Sequence, residues 1–478
     1  MKYRSTRDTE GRLYSAPDAI CAGIAPDGGL FVPEYFPRLR GETLTRLSKL
    51  DYAARAAEIL GMYFDCFGSE QLGSACEAAY SPEVFSPCPA PISLLGETAV
   101  LELWHGPTCA FKDIALQIMP RLLTMSMRAR GESRTAHIVT ATSGDTGKAA
   151  LEGFRDLPGT KITVFYPTDG VSRVQKLQMA TQEGDNVDVV AIRGNFDDAQ
   201  SAVKAIFADP EVREAAEKKG EFLSSANSIN IARLVPQTVY YISAYLDLLA
   251  EGYLVPGEEL DIAVPTGNFG DILAAYMAKR MGLPVGKMVC CSNRNRILTD
   301  FFETGVYDTR REFFTTTSPS MDILISSNLE RLLYFAFGAE KTAECMRSLR
   351  ETGVFSVDGD MLETLRADFS ACSADEFATA YSIRDTFARY GYTADPHTAA
   401  ALSYAVGKKC LAVSTASPFK FAPAVDAAIG ANGRSMQALR ERTGMEIPGP
   451  LAGLEKKKIR FTRVVDKADI KTAVYGLQ

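Results

Sequence analysis

The sequence of 478 residues has few histidines, and its cysteines follow no pattern typical of metal or disulfide sites. It contains only three histidines, His105, His137 and His397, and their spacing fits no set of metal ligands. Its ten cysteines are scattered without a CxxC motif, which favours reduced thiols over a disulfide framework. We therefore expect no metal site. His137 begins a predicted strand and is expected to be structural, whereas His397 has two interpretations, a site residue or a packing residue.

Long apolar segments and an excess of positive charge are also missing. No stretch approaches about 18 apolar residues, the length at which a transmembrane helix would be predicted. The net charge of -7 argues against a nucleic-acid groove or an anionic membrane surface as the main partner. The first eight residues lack the apolar core of an export signal and include Asp8. We expect a cytoplasmic protein, monomeric or homodimeric, without nucleic-acid or membrane partners.

What the sequence does contain is typical of a folded α/β protein. Its residues are 46% hydrophobic and 23% charged, and its length suits two or three domains. From about residue 96, predicted strands (136–141, 161–166, 187–192 and 260–264) alternate with glycine-rich loops and helices (148–154 and 271–281). This alternation predicts mostly parallel sheets with ligands at their carboxyl edge. We divide the chain into a helical region (1–95), a smaller α/β domain (96–225) and a larger one (226–478).

Lys112 lies in the segment HGPTCAFKD, residues 105–113, which precedes a predicted helix. Apolar residues follow it at helical spacing, although Pro120 interrupts the pattern: Ile114, Ile118, Leu122 and Met125. A lysine at the start of such a helix can form a Schiff base with an aldehyde and then act as a general base. An isolated lysine here would more simply be a surface residue, but the motifs that follow favour a catalytic amine.

Two glycine-rich loops each follow a predicted strand. Residues 143–147 (SGDTG) place small and hydroxyl residues at a helix N-terminus, where a substrate carboxylate would fit. Asp145 would repel that carboxylate, so backbone and hydroxyl groups are expected to bind it; a turn capped by Asp145 is the alternative. Residues 266–271 (TGNFGD) suit a phosphate, and they match neither GxGxxG nor a P-loop.

Hydroxyl residues at 414–417 (STAS) follow a short apolar run. A hydroxyl that faces a pyridine nitrogen leaves the ring largely unprotonated, although a Ser/Thr-rich turn is the simpler alternative. Pyridoxal phosphate needs an amine for its aldehyde, a cradle for its phosphate and a partner for its ring nitrogen. The four motifs together therefore predict a pyridoxal-phosphate site.

In their order along the chain, these motifs resemble those of the threonine synthase family, in its longer subgroup with an extended N-terminal region. The resemblance runs nearly end to end, and it is carried by residues 2–7, 25–30, 105–108, 111–113, 143–147, 194–198, 227–230, 266–271, 325–331 and 395–398. It implies a fold-type II, tryptophan synthase β-like architecture. Two open, mostly parallel sheets are flanked by helices, with the site between domains and an N-terminal helical domain.

The resemblance also implies roles for individual residues. Lys112 is the Schiff-base lysine and Thr415 the partner of the ring nitrogen. The cofactor phosphate is held by Gly267, Asn268, Phe269 and Gly270, and Asp271 is a further cofactor-binding residue. The substrate carboxylate loop contains Ser143, Asp145 and Thr146, and the other substrate residues are Arg233 and Asn328, with Arg233 suited to a phosphate. The family usually reads Thr-Ala-His-Pro at 415–418, where this chain has Ser417 in place of the histidine.

The implied reaction converts O-phospho-L-homoserine and water into L-threonine and phosphate. A related phospho-lyase would stop after elimination and give 2-oxobutyrate and phosphate with the same binding motifs. A serine or threonine dehydratase would act without a phosphorylated substrate. A catalytically inactive scaffold is a further alternative, against which the intact Lys112 argues.

Overall fold

The computed structural model describes residues 1–169, 171–194, 196–430 and 433–477. Asn195, within the resemblance segment 194–198, lies outside the described residues. The N-terminal region combines a small antiparallel sheet with helices. Its elements are β1 (Lys2–Ser5), β2 (Tyr14–Ser15), α1 (Ala16–Ala22), β3 (Phe31–Pro33), α2 (Gly41–Leu47), α3 (Tyr52–Tyr63) and α4 (Ser69–Tyr80), with strand order β2-β1-β3. The region predicted to be helical therefore also contains a sheet.

A six-stranded sheet forms the larger part of the fold. Its strands are β4 (Ile92–Leu95), β5 (Thr98–Glu102), β10 (Leu260–Pro265), β11 (Val285–Ser292), β14 (Phe369–Ser373) and β15 (Cys410–Ser414), in the order β14-β11-β10-β15-β5-β4. Neighbouring strands are parallel except β4 and β5. The central strands are almost continuously apolar because helices cover both faces of such a sheet.

A five-stranded sheet, parallel throughout, forms the smaller part. It consists of β6 (Thr135–Ala141), β7 (Thr160–Pro167), β8 (Val187–Ile192), β9 (Glu221–Ser224) and β16 (Val464–Val465), in the order β16-β8-β7-β6-β9. An antiparallel pair, β12 (Val306–Asp308) and β13 (Val354–Ser356), lies apart from both sheets. The prediction of an α/β protein with mostly parallel sheets is confirmed, and the four predicted strands fall within β6, β7, β8 and β10.

Helices connect and cover these strands. They are α5 (Lys112–Ala129), α6 (Asp145–Phe154), α7 (Arg173–Ala180), α8 (Phe196–Ala208), α9 (Pro210–Lys218), α10 (Ile231–Leu234), α11 (Gln237–Ala250), α12 (Gly270–Met281), α13 (Ile297–Thr304), α14 (Leu329–Thr352), α15 (Gly359–Asp368), α16 (Glu376–Tyr390), α17 (Pro396–Ala405), α18 (Ala422–Ala428), α19 (Met436–Thr443) and α20 (Ile470–Tyr475). Short 3₁₀ turns occur at Pro319–Met321, Pro418–Phe421, Leu454–Lys456 and Lys467–Asp469. In the described parts of the chain, no helix combines the length and apolar character that a membrane crossing requires.

Strand pairing crosses the proposed domain boundaries at three places, between β4 and β5, between β5 and β15, and between β16 and β8. β5 lies in the larger sheet, where Leu101 pairs with Val413 at the edge of β15. β16 returns near the end of the described chain to pair with β8 of the smaller sheet, and Arg193 N donates to Val465 O at 3.0 Å. In the last two of these pairings, a distant strand covers an edge that the strands nearby in sequence leave unpaired. The three consecutive domains therefore stay a prediction, and each sheet recruits a segment from outside its proposed range.

Helices α5 and α6 cross in backbone contact at Gly153. A Cβ atom on Gly153 would lie 1.9 Å from the carbonyl oxygen of Leu116, which leaves no room for a side chain. Because α5 begins at Lys112 and α6 begins at the carboxylate loop, this crossing fixes two functional segments relative to each other.

We predict that Gly153→Ala destabilises the protein by about 2 kcal/mol or more, because the methyl group forces the two helices apart. Urea denaturation followed by circular dichroism measures this. Gly73→Ala in α4 is the matched control, since a Cβ there meets no atom within 4 Å. The control should be neutral or stabilise by up to about 1 kcal/mol because alanine is the better helix former. Equal midpoints for the two variants would contradict the close approach.

Candidate active site

The predicted motifs come together around one cavity of about 1050 Å³. Its walls are built from the loops that follow β6, β10 and β15 and from the start of α5, with further residues from the N-terminal region. The carboxyl ends of parallel strands from both sheets thus meet at the cavity, as expected for ligand sites in α/β proteins.

Lys112 is tied to the hydroxyl segment by backbone pairing. Ala110 and Ala416 form an antiparallel bridge, and the N–H of Phe111 donates to the carbonyl of Thr415 at 2.8 Å. Lys112 is the first residue of α5, and both it and Thr415 line the cavity. The bridge therefore brings the backbone of Lys112 close to that of Thr415, the predicted partner of the ring nitrogen.

The side chain of Lys112 is largely buried, with 13% of its surface exposed. Its Nζ lies 3.5 Å from Ser320 Oγ and 4.0 Å from Asp145 Oδ2. Burial lowers the pKa of Lys112 from 10.5 to about 8; Asp145 opposes the shift, whereas Lys420 and Arg233 add to it. About a tenth of the amine is therefore unprotonated at pH 7, far more than for an ordinary lysine, and this form can act as a nucleophile or general base.

The glycine-rich loop at 267–270 leads from β10 into α12, and all four residues line the cavity. Phe269 adopts a left-handed conformation at the N-cap (φ 62°), and its side chain caps none of the first N–H groups. The carbonyl of Asn268 accepts from the backbone N–H and the side-chain amide of Asn328, at 3.1 and 3.0 Å. With its carbonyl so anchored, the loop presents a helix N-terminus that suits the cofactor phosphate.

Asn328, expected among the substrate-binding residues, is instead fully buried behind this loop and is not among the residues that line the cavity. Its amide holds Asn268, and its side-chain oxygen accepts from the guanidinium of Arg331. In this geometry Asn328 supports the phosphate loop from outside the cavity.

The loop before α6 brings Ser143 and Thr146 to the cavity wall. Gly144 is the N-cap residue, with a φ of 140° that favours glycine. The hydroxyl oxygen of Thr142 accepts from the N–H groups of Gly144 and Gly147, at 2.9 and 2.8 Å. These bonds hold the turn from beneath and leave the two hydroxyl residues facing the cavity.

Asp145 lies behind that wall and is buried, with 3% exposed. Its Oδ1 accepts from Lys420 Nζ at 2.6 Å and from Gln175 Nε2 at 2.8 Å. Burial alone would raise the pKa of Asp145, but Lys420 and Lys112 outweigh it and hold the pKa well below its usual range. The interpretation of Asp145 as the capping residue is wrong, since Gly144 has that position. Its carboxylate is ionised and held by two buried partners, outside the residues that line the cavity.

Lys420 is a functional candidate that the sequence reasoning missed. It lies in the 3₁₀ turn at Pro418–Phe421, its side chain is fully buried, and its Nζ also donates to Thr108 O at 2.9 Å. The sequence feature that could have indicated Lys420 is its position between Phe419 and Phe421, because a lysine within an apolar segment needs a buried partner.

Arg233 and Asp271 line the cavity, as predicted for ligand-binding residues. Arg233 is buried and donates one bond from Nη1 to Ala226 O at 2.6 Å, while its Nε has no partner among the described residues. Asp271 Oδ1 accepts from Tyr240 and Tyr241, and its Oδ2 is likewise unpartnered within the described chain. Burial raises the pKa of Asp271 to about 6. Unpartnered buried polar atoms on a cavity wall fit a site that binds a polar ligand.

His397 lines the cavity and orients Ser320. Its Nε2 accepts from the N–H of Ser320 at 3.2 Å, and its Nδ1 pairs with Asp395 Oδ1 at 2.7 Å. Ser320 Oγ in turn contacts both Lys112 and Asp145, so the histidine holds the backbone of a serine whose hydroxyl no sequence motif had indicated.

Two other positions lie off the wall. Ser417, in the place of the family histidine, is fully buried and its hydroxyl has no partner in the described parts of the chain. His137 is buried in the smaller sheet, with its ring nitrogens near Thr163 and Glu221 at 2.9 and 3.0 Å. Neither contributes a side chain to the cavity among the residues described.

Comparison with known families shows which family the chain belongs to. Residues 2–80 match the model "Threonine synthase N terminus", residues 98–415 match "Pyridoxal-phosphate dependent enzyme", and residues 393–474 match "Threonine synthase, C-terminal". The chain belongs to the threonine synthase family. The resemblance inferred from the motifs is confirmed, and pyridoxal phosphate is the cofactor. Lys112, the loop at 267–270 and Thr415 share one cavity, so the residues present fit that group.

Individual relatives agree with this membership. The chain is 39% identical to threonine synthase of Pseudomonas aeruginosa over 90% of both chains. It is 40% identical to human threonine synthase-like 1, covering 85% of this chain but 57% of that protein, so the chain spans less than three fifths of that relative. The structure of pyridoxal-phosphate-bound threonine synthase from Brucella melitensis matches with a TM-score of 0.88 at 37% identity, over 99% of both chains. The fold-type II assignment is thereby confirmed.

We predict that Lys112 reacts with added pyridoxal phosphate with a pH midpoint near 8, since only the unprotonated amine attacks an aldehyde and burial lowers the pKa to about 8. The cofactor-free protein is exposed briefly to pyridoxal phosphate, reduced with borohydride and mapped by peptide mass spectrometry. Labelling at Lys112 should rise about tenfold per pH unit below the midpoint and level off above it. Lys112→Met should lose that labelled peptide. A midpoint close to that of an ordinary lysine would contradict the buried environment.

Proposed function

We propose that the chain is a threonine synthase, which converts O-phospho-L-homoserine and water into L-threonine and phosphate as the last step of threonine biosynthesis. The observation that supports this most is the number of anion positions around Lys112. The helix N-terminus at 267–270 suits the cofactor phosphate, the loop of Ser143 and Thr146 suits a carboxylate, and Arg233 suits a second phosphate. A substrate with both a carboxylate and a phosphate fits this set, whereas a dehydratase substrate needs only the carboxylate position.

When bound, pyridoxal phosphate supplies an electron sink that stabilises negative charge at the substrate carbon next to the amino group. Lys112 is the group that would move the proton at that carbon, since its amine is buried and its pKa of about 8 lies close to working pH. Thr415 provides a neutral hydroxyl for the ring nitrogen, which keeps that nitrogen from carrying a full positive charge.

The substrate is oriented by groups that differ in charge. The hydroxyls of Ser143 and Thr146 and the N–H groups at the start of α6 bind its carboxylate. The guanidinium of Arg233 binds its phosphate and is more effective there because the side chain is buried. Binding at both ends places the carbon that loses its proton next to Lys112, so positioning supplies much of the rate enhancement.

We further propose that the protein acts in the cytoplasm as a monomer or homodimer. The alternative activity is a phospho-lyase that stops after elimination, and the observation that favours it is Ser417 in the place of the family histidine. The two activities share every binding residue and differ only in whether water is added.

Product analysis distinguishes these activities. The purified protein, loaded with pyridoxal phosphate, is incubated with O-phospho-L-homoserine in oxygen-labelled water, and the products are identified by mass spectrometry. We expect threonine that carries the label in its hydroxyl group, together with phosphate. Phosphate with 2-oxobutyrate alone would establish the lyase, and turnover of unphosphorylated serine or threonine in place of the phospho-substrate would establish a dehydratase.

We predict that Arg233→Met raises KM for O-phospho-L-homoserine about 10- to 100-fold, because a charged hydrogen bond to the phosphate is lost. The affinity for pyridoxal phosphate, measured by titration, should change little. Arg350→Met is the matched control, since Arg350 lines the same cavity from α14 but is exposed. Its KM should stay within about threefold of that of the unaltered protein. If Arg350→Met raised KM more than Arg233→Met did, the substrate phosphate would bind at the Arg350 end of the cavity.

A further inference from the structure

Lys420 is a cation buried behind the cavity wall. Its side chain is 0% exposed, and its neighbours Phe419 and Phe421 are buried as well. Removing an ammonium group from water costs several kcal/mol unless a close counter-ion and further hydrogen bonds compensate. The buried ammonium group of Lys420 must therefore be stabilised by the groups that it contacts.

The contacts of Lys420 join three segments of the site. Its Nζ lies 2.6 Å from Asp145 Oδ1, behind the carboxylate loop, and donates to Thr108 O at 2.9 Å, in the segment that leads to Lys112. The backbone N–H and hydroxyl of Thr108 both donate to Asp113, in the first turn of α5. One ammonium group thus connects the hydroxyl segment, the carboxylate loop and the start of the lysine helix.

The second oxygen of Asp145 faces the reactive amine. Asp145 Oδ2 lies 4.0 Å from Lys112 Nζ and accepts from Ser320 Oγ at 3.4 Å. Two ammonium groups therefore share one buried carboxylate, and the shorter contact goes to Lys420. Without Lys420, the full charge of Asp145 would act on Lys112 and would hold it as a protonated partner at the cavity wall.

We propose that Lys420 is a positioning residue that takes up the charge of Asp145 and so keeps the amine of Lys112 available for reaction. The proposal rests on the proposed role of Lys112 as the reacting amine. The direction in which each neighbouring charge shifts the pKa of Lys112 agrees with this proposal. Asp145 and Asp271 raise that pKa, whereas Lys420 and Arg233 lower it.

The test compares the pH midpoint of Lys112 labelling, by borohydride trapping of pyridoxal phosphate, in four variants of the full chain. Lys420→Met should move the midpoint upward by about one unit or more, with about tenfold less labelling at pH 7. Lys420→Arg should stay near the unaltered midpoint because the charge is kept. The double variant Lys420→Met with Asp145→Asn should return to that midpoint or fall below it, since both charges are removed.

Lys148→Met is the matched control for a purely structural role. Lys148 is also a buried lysine, and its Nζ pairs with Glu152 at 3.1 Å on α6, away from Asp145. This variant should lower the urea midpoint of unfolding without moving the pH midpoint of Lys112. If Lys420→Met loses stability but keeps the pH midpoint, as the control does, the proposal is overturned.

If Lys420→Met fails to fold, the double variant decides. A raised midpoint there would overturn the proposal, whereas restored folding with an unaltered or lowered midpoint supports it. Failure of the proposed function is separately visible. Labelling of Lys112 in the unaltered protein with no threonine formed rejects the synthase activity alone, whereas labelling at another lysine rejects both proposals.

Discussion

The backbone bridge between Ala110 and Ala416 is the contact on which the site depends most. It fastens the segment before α5 to the segment after β15, although the two are about 300 residues apart in sequence. A lysine at the start of a helix has a long, flexible side chain, so its reach is useful only if its backbone is fixed. The bridge fixes it relative to the six-stranded sheet, and the crossing at Gly153 fixes the same helix relative to α6.

Much of the fold could be predicted from the sequence because its strands are short, apolar and followed by glycine. The loops at 143–147 and 266–271 were located by that pattern, and both follow strands whose carboxyl ends face the cavity. The pattern could not give pairings between distant segments. β5 joins β15 and β16 joins β8 because each completes a sheet edge, and nothing local in the sequence records such a partner.

Within the site, the sequence predicted which backbone segments form the cavity better than it predicted where their side chains lie. Motifs indicated that residues 143–146 form one wall, but only the structure shows that Asp145 points behind it while its neighbours line it. Asn328 is a similar case, since its amide supports the phosphate loop. Lys420 and Ser320 belong to no anion-binding pattern, and their importance comes from buried contacts that three separate segments make together.

The late return of β16 has a consequence for how the chain is made. The strands β6 to β9 emerge from the ribosome with residues 135–224, but the strand that pairs with β8 lies at Val464–Val465, and α20 completes the apolar cluster on that face. At typical rates of synthesis the interval is on the order of tens of seconds. During this time the nascent chain displays an open parallel edge, a template for pairing with other chains. The order of synthesis therefore makes the edge of β8 an aggregation risk in the nascent chain, independent of how stable the finished protein is.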